Sequence, residues 1–427
     1  MSAQADADPD VEAAVYGPVA DWARDIDHAD PAYNANAHAI WRDLVEGGCP
    51  VAHSDRYHGM WVPLTHELVS EVAYDTEHYT SRSVVVSRAT QLAPAPVGGA
   101  PPITSDPPFH HQARRLLLPP FAPRPIASWE PEVRRICRDL LDRMLHPDGD
   151  ESPTDARLVD GAVEYAQHVP VAVIGTMLGL PPGDDDLFRQ FVHDVLEDVS
   201  RPPAERAAAF DQLDDYLDVQ IARKRAEPGG DLISYLLSAT LTLEDGTSVP
   251  LDPEHVAGSV VLLLLAGIDT TWSAIGSSLW HLATHPADRA RLVAEPELMP
   301  TAVEELLRAY APVTMARMVA QDHDFHGCPM KVDEWVLLPF PAANRDPAAF
   351  DRADEVLIDR AENRHLAFGL GIHRCLGSNL ARLELRVALE EFLARIPDFG
   401  LATGRGDGVA WSAGQIRGPR RLPLRVG

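Results

Sequence analysis

Residues 368–377 read Phe368-Gly-Leu-Gly-Ile-His-Arg-Cys375-Leu-Gly377, which places one cysteine after a glycine-punctuated loop and directly before a helix-forming run from Leu376 to about Arg395. A sulfur in that position meets backbone N–H groups and the positive end of a helix dipole, which lowers a thiol's pKa and favours the thiolate. A soft, anionic sulfur in a glycine-lined loop suits an axial position on haem iron. A cysteine at a helix start can also be no more than a small buried residue, and the glycines weigh against that plainer reading. Gly369 and Gly371 permit a tight turn with close approach of something flat, and Gly377 removes a side chain from the helix face nearest the sulfur. The other cysteines, Cys49, Cys137 and Cys328, never approach CxxC or Cys/His metal spacing, and so few in a long chain do not suggest a disulfide scaffold.

With 427 residues and 45% apolar content, the chain can bury a core for one large domain or two smaller ones. Lys plus Arg number 37 against 64 Asp plus Glu, a formal charge of -27 that repels phosphate backbones and anionic lipid. Nucleic acid and membrane are therefore not expected as partners. A composition rich in Ala, Asp, Pro and Arg is also enough to account for that acidity. The opening MSAQADADPDVEAA has no basic stretch leading into an apolar one, so no secretory signal is visible. The longest greasy run, thirteen residues from Val256 to Ile268, is too short to cross a bilayer, and the expectation is a soluble cytoplasmic protein.

Along the chain, residues 1–35 are acidic and expected to be partly flexible, and 36–427 form one domain. Helical periodicity is expected at about 37–45, 65–73 (begun by a Thr65 cap), 109–118, 130–145, 157–179, 184–197, 203–226 and 231–239. Prolines at 147, 170, 181, 202 and 228 punctuate these runs. Met60–Pro63 and Val84–Val86 read as extended, and ATQLAPAPVGGAPPI, Ala89–Ile103, must be a loop. A long helix begins after Pro253 and stops at His285-Pro286, followed by helices at about 287–294 and 299–309. Short strands and turns then take over until the helix after Cys375, and the tail WSAGQIRGPRRLPLRV is strand-like. The fold class is mainly α with small β-sheets.

Three further clusters carry chemistry. Glu305-Leu-Leu-Arg308 puts an acid and a base on one helical face, which by itself is a common surface pair. Ala266-Gly-Ile-Asp269-Thr270-Thr271 sets an acid and two hydroxyls into an apolar helix, a costly choice unless they meet water, each other or a ligand. A threonine there can bond back to the carbonyl four residues earlier and bend the helix, so a local groove is expected. Asp106-Pro-Pro-Phe-His110-His-Gln-Ala-Arg114 places an imidazole and a guanidinium four apart.

Together these segments resemble the cytochrome P450 family. FGLGIHRCLG fits its haem-binding signature FxxGxxxCxG at Phe368, Gly371, Cys375 and Gly377. Glu305 and Arg308 match its ExxR motif, Ala266–Thr271 its [AG]GxDTT motif, and Asp106–Arg114 its DPPxHxxxR segment. The matches run in the family's order from about residue 60 to the C-terminus. The resemblance implies a triangular helical prism around a buried haem b, with Cys375 as the iron ligand and Phe368 packed beside it. It implies haem contacts for Ala266, Gly369 and Gly377, and propionate partners in His110, Arg114, Arg317 and His373. Surface roles are expected of His111 and Arg115. It also implies a buried network of Glu305, Arg308 and Arg360 holding the proximal core, with Ala343-Asn-Arg-Asp-Pro347 in a structural role. Thr270 would hold the hydrogen bond to bound dioxygen and its ordered water, and Asp269 would relay protons from solvent.

The family's substrate-contact regions fall on 84–103, on helices near 165–195, on Leu262–Thr270, on Val313–Ala316 and near Gln415-Ile416, and most of these residues are apolar. A lipophilic substrate follows, terpenoid, polyketide or fatty-acid-like, with oxygen from O2 inserted into a C–H bond. Gln415 is a polar exception that could orient one hydroxyl or carbonyl, or face solvent in a turn. No GxGxxG after a strand and no CxxC cluster occurs, so electrons would come from NAD(P)H through a separate ferredoxin or flavodoxin and its reductase. Arg114, Arg115, Arg124 and Arg374 are candidates for the docking patch. The alternatives are a peroxide-driven peroxygenase, disfavoured because Asp269-Thr270 stands where such members carry Arg-Pro, and a non-catalytic haem sensor or carrier.

Overall fold

The computed structural model describes residues 17–28, 30–47, 50–86, 99–146, 157–197, 203–402, 408–412 and 414–427. Residues 1–16 of the acidic segment, Cys49, residues 87–98 of the proline-rich loop region and the prolines at 147 and 202 lie outside the described residues.

Helices dominate. The first half holds α1 (Pro31–Glu46), α2 (His66–Tyr74), α3 (Phe109–Leu117), α4 (Pro123–Ala127), α5 (Glu130–Leu145), α6 (His168–Leu178) and α7 (Asp185–Val192). After these come α8 (Pro203–Ala226), α9 (Leu232–Ser238), α10 (Pro253–Thr284), α11 (Pro286–Ala294), α12 (Met299–Ala309), α13 (Phe340–Ala343) and α14 (Ser378–Arg395). The long α10 forms where its ends demand. Asp252 accepts from the His255 amide at 2.6 Å, Pro253 sits where no N–H is needed, and the chain leaves the helix at His285. By length and composition α10 could cross a bilayer, but 72% of its most apolar window is buried inside the fold, so it is the core helix. It packs closely on α6: a Cβ on Gly267 would stand 3.1 Å from Ile174.

The strands are short. Val51–Ser54, Met60–Pro63, Trp335–Pro339, Thr314–Val319 and Tyr79–Thr80 form a five-stranded sheet in that order. Phe399–Leu401, Pro423–Val426 and Arg157–Asp160 form a three-stranded sheet. This second sheet corrects the expected helix over 157–179. Residues 157–160 pair with the tail, Leu424 opposite Val159, and the α-helix begins only at His168. Periodicity is a local signal and cannot report a partner strand more than 250 residues away, about the clearest case of tertiary override of propensity. Val84–Val86 also forms no strand, although the Val84 carbonyl accepts from the Ala316 amide at 3.0 Å. The acidic segment, expected to be flexible, is fastened in its described part: Arg56 pairs with Asp25 and, at 2.7 Å, with Asp27.

Glu305 and Arg308 are fully buried rather than a surface pair. Arg308 grips the carboxylate with Nε and Nη2 at 2.8 and 2.9 Å and spends its remaining N–H groups on the carbonyls of Asn344, Ala353 and Glu355. Arg360 Nε, the Leu357 amide and Asn363 Nδ2 complete the carboxylate at 2.9, 2.8 and 3.1 Å. Asn344 Oδ1 in turn accepts from the Leu366 amide at 2.6 Å, where the cysteine loop starts. Replacing Arg308 by Leu strips Glu305 of its two-pronged partner and should cost about 3–5 kcal/mol. Equilibrium urea unfolding measures this, and an unchanged midpoint would remove the network from its structural role.

Candidate functional site

The loop between the network and α14 is shaped by two glycines. Gly369 and Gly371 have φ of 61° and 62°, and a Cβ on Gly371 would lie 2.5 Å from the Ala73 carbonyl oxygen, so only glycine fits there. The Cys375 amide donates to the Phe368 carbonyl at 2.7 Å and closes the loop. A Cβ on Gly377 would stand 3.9 Å from Cys375 Sγ. The low thiol pKa expected from the sequence is corrected. Helix α14 begins at Ser378 with Gly377 as its cap, which leaves Cys375 outside the first turn where the dipole acts. Burial pushes the thiol up and outweighs the Gly377 amide, Arg114, Arg374 and Arg382, which pull it down. A cation bound to the sulfur would reverse that balance, since a coordinating thiol is deprotonated outright. Although protein surrounds it closely, Cys375 keeps an exposed surface.

Helix α10 also has an exposed residue: Ala266 is exposed between buried Leu265 and Ile268. Thr270 donates back to the Ala266 carbonyl at 3.0 Å, the bond its position implies. Asp269 does not face solvent as a relay from bulk water would. It is 1% exposed and ion-paired with Arg420 of Pro419–Arg421, a strand that pairs with Ala410–Trp411 in the tail. Arg420 also donates to Ser273 Oγ at 3.0 Å and lies 4.2 Å over the Trp272 ring. The tail approaches this closely because residue 418 is glycine; a Cβ there would be 2.4 Å from Ser273 Cα.

A third group is cationic. The rings of His110 and His373 meet edge-on at 4.4 Å. Both nitrogens of His110 and Nε2 of His373 are buried without a hydrogen-bond partner. Burial, then Arg114, His111 and Arg317, takes His110 down to about 4. His373 falls to about 2 through burial, then Arg317, His110 and Arg114. Arg317, 7% exposed, donates to the Ala316 carbonyl at 2.8 Å, and burial pushes it down to about 10 against the distant pull of Asp106. Arg114 donates to the Arg374 carbonyl. Unpaired buried donors around two guanidiniums are expensive unless carboxylates meet them. A porphyrin with two propionates would meet this requirement, and Cys375 would offer its iron a sulfur ligand, so the residues present fit a haem.

Comparison with known proteins agrees. The Cytochrome P450 family model matches residues 53–396. The chain belongs to the cytochrome P450 family. It is 35% identical over 327 residues to the mycinamicin IV hydroxylase/epoxidase of Micromonospora griseorubida, covering 75% of this chain and 79% of that protein. Against the vitamin D(3) 25-hydroxylase of Pseudonocardia autotrophica it is 37% identical, covering 76% and 77%. The crystal structure of CYP109E1 from Bacillus megaterium with testosterone superposes with a TM-score of 0.81 at 29% identity, covering 92% of this chain and 98% of that one. At the family level this is a P450 oxidoreductase with the mainly helical P450 fold.

The P450 site thus brings Phe368, Gly369, His373, Cys375 and Gly377 together on one loop, and places His110, Arg114 and Arg317 beside it. His111 and Arg115 are exposed, although the His111 ring meets that of His110 edge-on at 5.5 Å. Sequence reading missed Arg420, for which no local signal exists. It also missed Arg382, which reaches Phe368 and Glu304 only through tertiary packing. If Asp269 and Arg420 are a true pair, D269N and R420Q should each destabilise, and the double variant should recover a coupling on the order of 2 kcal/mol. A double-mutant cycle by urea unfolding tests this, and additive effects would dissolve the pair.

Proposed function

We propose that this P450 is a monooxygenase that inserts one atom of O2 into a C–H bond of a lipophilic small molecule of terpenoid, polyketide or fatty-acid-like character. The observation that carries the reading is the convergence of Cys375 in its glycine loop with buried, unpartnered His110 and His373 beside Arg317. Cys375 would bind the iron, while His110, Arg114, Arg317 and His373 would hold the propionates and neutralise them. A haem bound there supplies the redox chemistry of dioxygen. The chain's own contribution is to exclude bulk water and meter protons. Thr270 Oγ1, tied to the Ala266 carbonyl, holds a hydroxyl at the exposed patch of α10. Asp269 is ion-paired with Arg420, so on this reading its carboxylate loosens from that guanidinium to pass a proton.

Support for the substrate class comes from Val313, Met315 and Ile416, half-buried around the tail bridge at Val313, and from relatives named for vitamin D(3), mycinamicin IV and, as a bound ligand, testosterone. For electrons we infer an acidic ferredoxin or flavodoxin with its NAD(P)H-dependent reductase. Arg115, Arg124 and Arg374 are exposed, and among the described residues none is paired with an acid. Arg114, half-buried, donates to the Arg374 carbonyl beside them. We further take residues 36–427 as one catalytic domain working in the cytoplasm.

The experiment is a spin-state titration of the oxidised haem protein against terpenes, steroids, fatty acids, macrolides and small aromatics. A low-to-high-spin shift with one class followed by NAD(P)H-dependent oxygenation of it supports the reading. A haem-loaded protein that shifts with none and consumes no NAD(P)H favours a carrier. Replacing Cys375 by Ser should abolish the thiolate spectrum, and its survival would refute the ligand assignment. Thr270→Ala should divert NAD(P)H consumption from product to peroxide, so unchanged coupling would take Thr270 out of the relay.

A further inference from the structure

Arg382 lies on α14, seven residues beyond Cys375, and does three things at once. Its guanidinium carbon sits 4.4 Å over the Phe368 ring. Its Nε and Nη2 hold both carboxylate oxygens of Glu304 at 2.6 and 2.8 Å. The positive charge also acts on the Cys375 sulfur, together with Arg114 and Arg374. Glu304 stands on α12 next to Glu305, so the pair ties the helix of the buried network to the helix that follows the cysteine. His365 completes the clamp. Its Nδ1 accepts from the Ala367 amide at 3.2 Å, which leaves Nε2 to donate to Glu304 at 3.1 Å.

The carboxylate is therefore held from two sides, and a guanidinium bound in two places cannot leave the ring it covers. Phe368 is in turn the residue whose carbonyl receives the Cys375 amide. A planar cation stacked on that ring fixes the ring's position and, through the shared backbone bond, the direction of the sulfur.

We propose that Arg382, anchored by Glu304 and His365, is a positioning residue for the Cys375 ligand: it locks Phe368 in place and sets, by its charge, how strongly the sulfur donates to iron. The inference rests on the haem–thiolate reading above. A cation near the sulfur draws electron density from it and favours the reduced iron, so the charge and the geometry have separable consequences.

The test uses the haem-loaded protein in four forms, wild type, Arg382→Gln, Arg382→Lys and Glu304→Gln, with three readouts: the ferric/ferrous midpoint potential, the rate of haem transfer to an apoprotein acceptor, and thermal melting. Arg382→Gln removes a cation and should lower the potential, with haem lost about tenfold faster. Arg382→Lys keeps the charge without the flat two-pronged grip, so it should recover the potential but not the haem retention. Glu304→Gln removes an anion and should raise the potential. Opposite shifts in the two neutralising variants, at comparable melting temperatures, support the proposal. An unchanged potential in Arg382→Gln overturns it, whatever happens to haem retention. If wild type itself lacks the thiolate signature in its ferrous–CO spectrum, the haem–thiolate reading fails, and that is seen before any variant is compared.

Discussion

A carboxylate that has no access to water must be satisfied entirely by protein, and Glu305 is such a group. Five N–H donors reach it, from Arg308 twice, Arg360, Asn363 and the Leu357 amide. Three of these come from the irregular stretch 357–363, which has no helix or sheet of its own to hold it. Removing any one donor leaves charge uncompensated in a low-dielectric interior, so the stretch is pinned by the cost of moving it. Asn344, which accepts from Arg308 and from the Leu366 amide, passes that constraint to the loop of Cys375. The site inherits its rigidity from a pair that never touches the chemistry.

Electrostatics divides the interior into two kinds of place. Around Glu305, Glu304 and Asp269 each buried or half-buried acid has a guanidinium. Burial alone would raise Glu304, yet Arg382 and His365 outweigh it and hold the acid at about 2. Around His110, His373 and Arg317 the opposite holds: among the described residues no salt bridge meets them, and only the distant Asp106 pulls on Arg317. In a chain with 64 acidic residues against 37 basic ones, a buried cluster with unpartnered imidazole nitrogens beside Arg317 is one that the carboxylates of a ligand would suit.

Much of this was legible in the chain. Short-range features carried through because their physics is short-range: the Thr65 cap, the long helix starting at Pro253 and its stop at His285-Pro286, the i,i+3 acid and base on α12, and the glycines around Cys375. The ordering of the cysteine loop, the Asp-Thr helix and the His-Arg helix could be read from spacing, and their resemblance to one family gave them a common purpose. The strand at 157–160 and the Asp269–Arg420 pair could not be read this way. Both are made by the tail, and a sequence pattern holds no record of which distant segment will lie against it.

Arg382 and the Cys375 thiol show the boundary most clearly. Residue types and local spacing determined that a cysteine would stand in a glycine turn ahead of a helix, that helices would dominate, and that the long apolar helix would carry an acid and hydroxyls. These follow from dihedral freedom and periodicity, which act over a few residues. Tertiary structure alone decided that the thiol is pushed up by burial instead of down by a helix end, that Asp269 faces a guanidinium and not water, and that Arg382 covers Phe368. Desolvation and charge pairing depend on what surrounds a group in space, and that is settled only when segments far apart in the chain have packed.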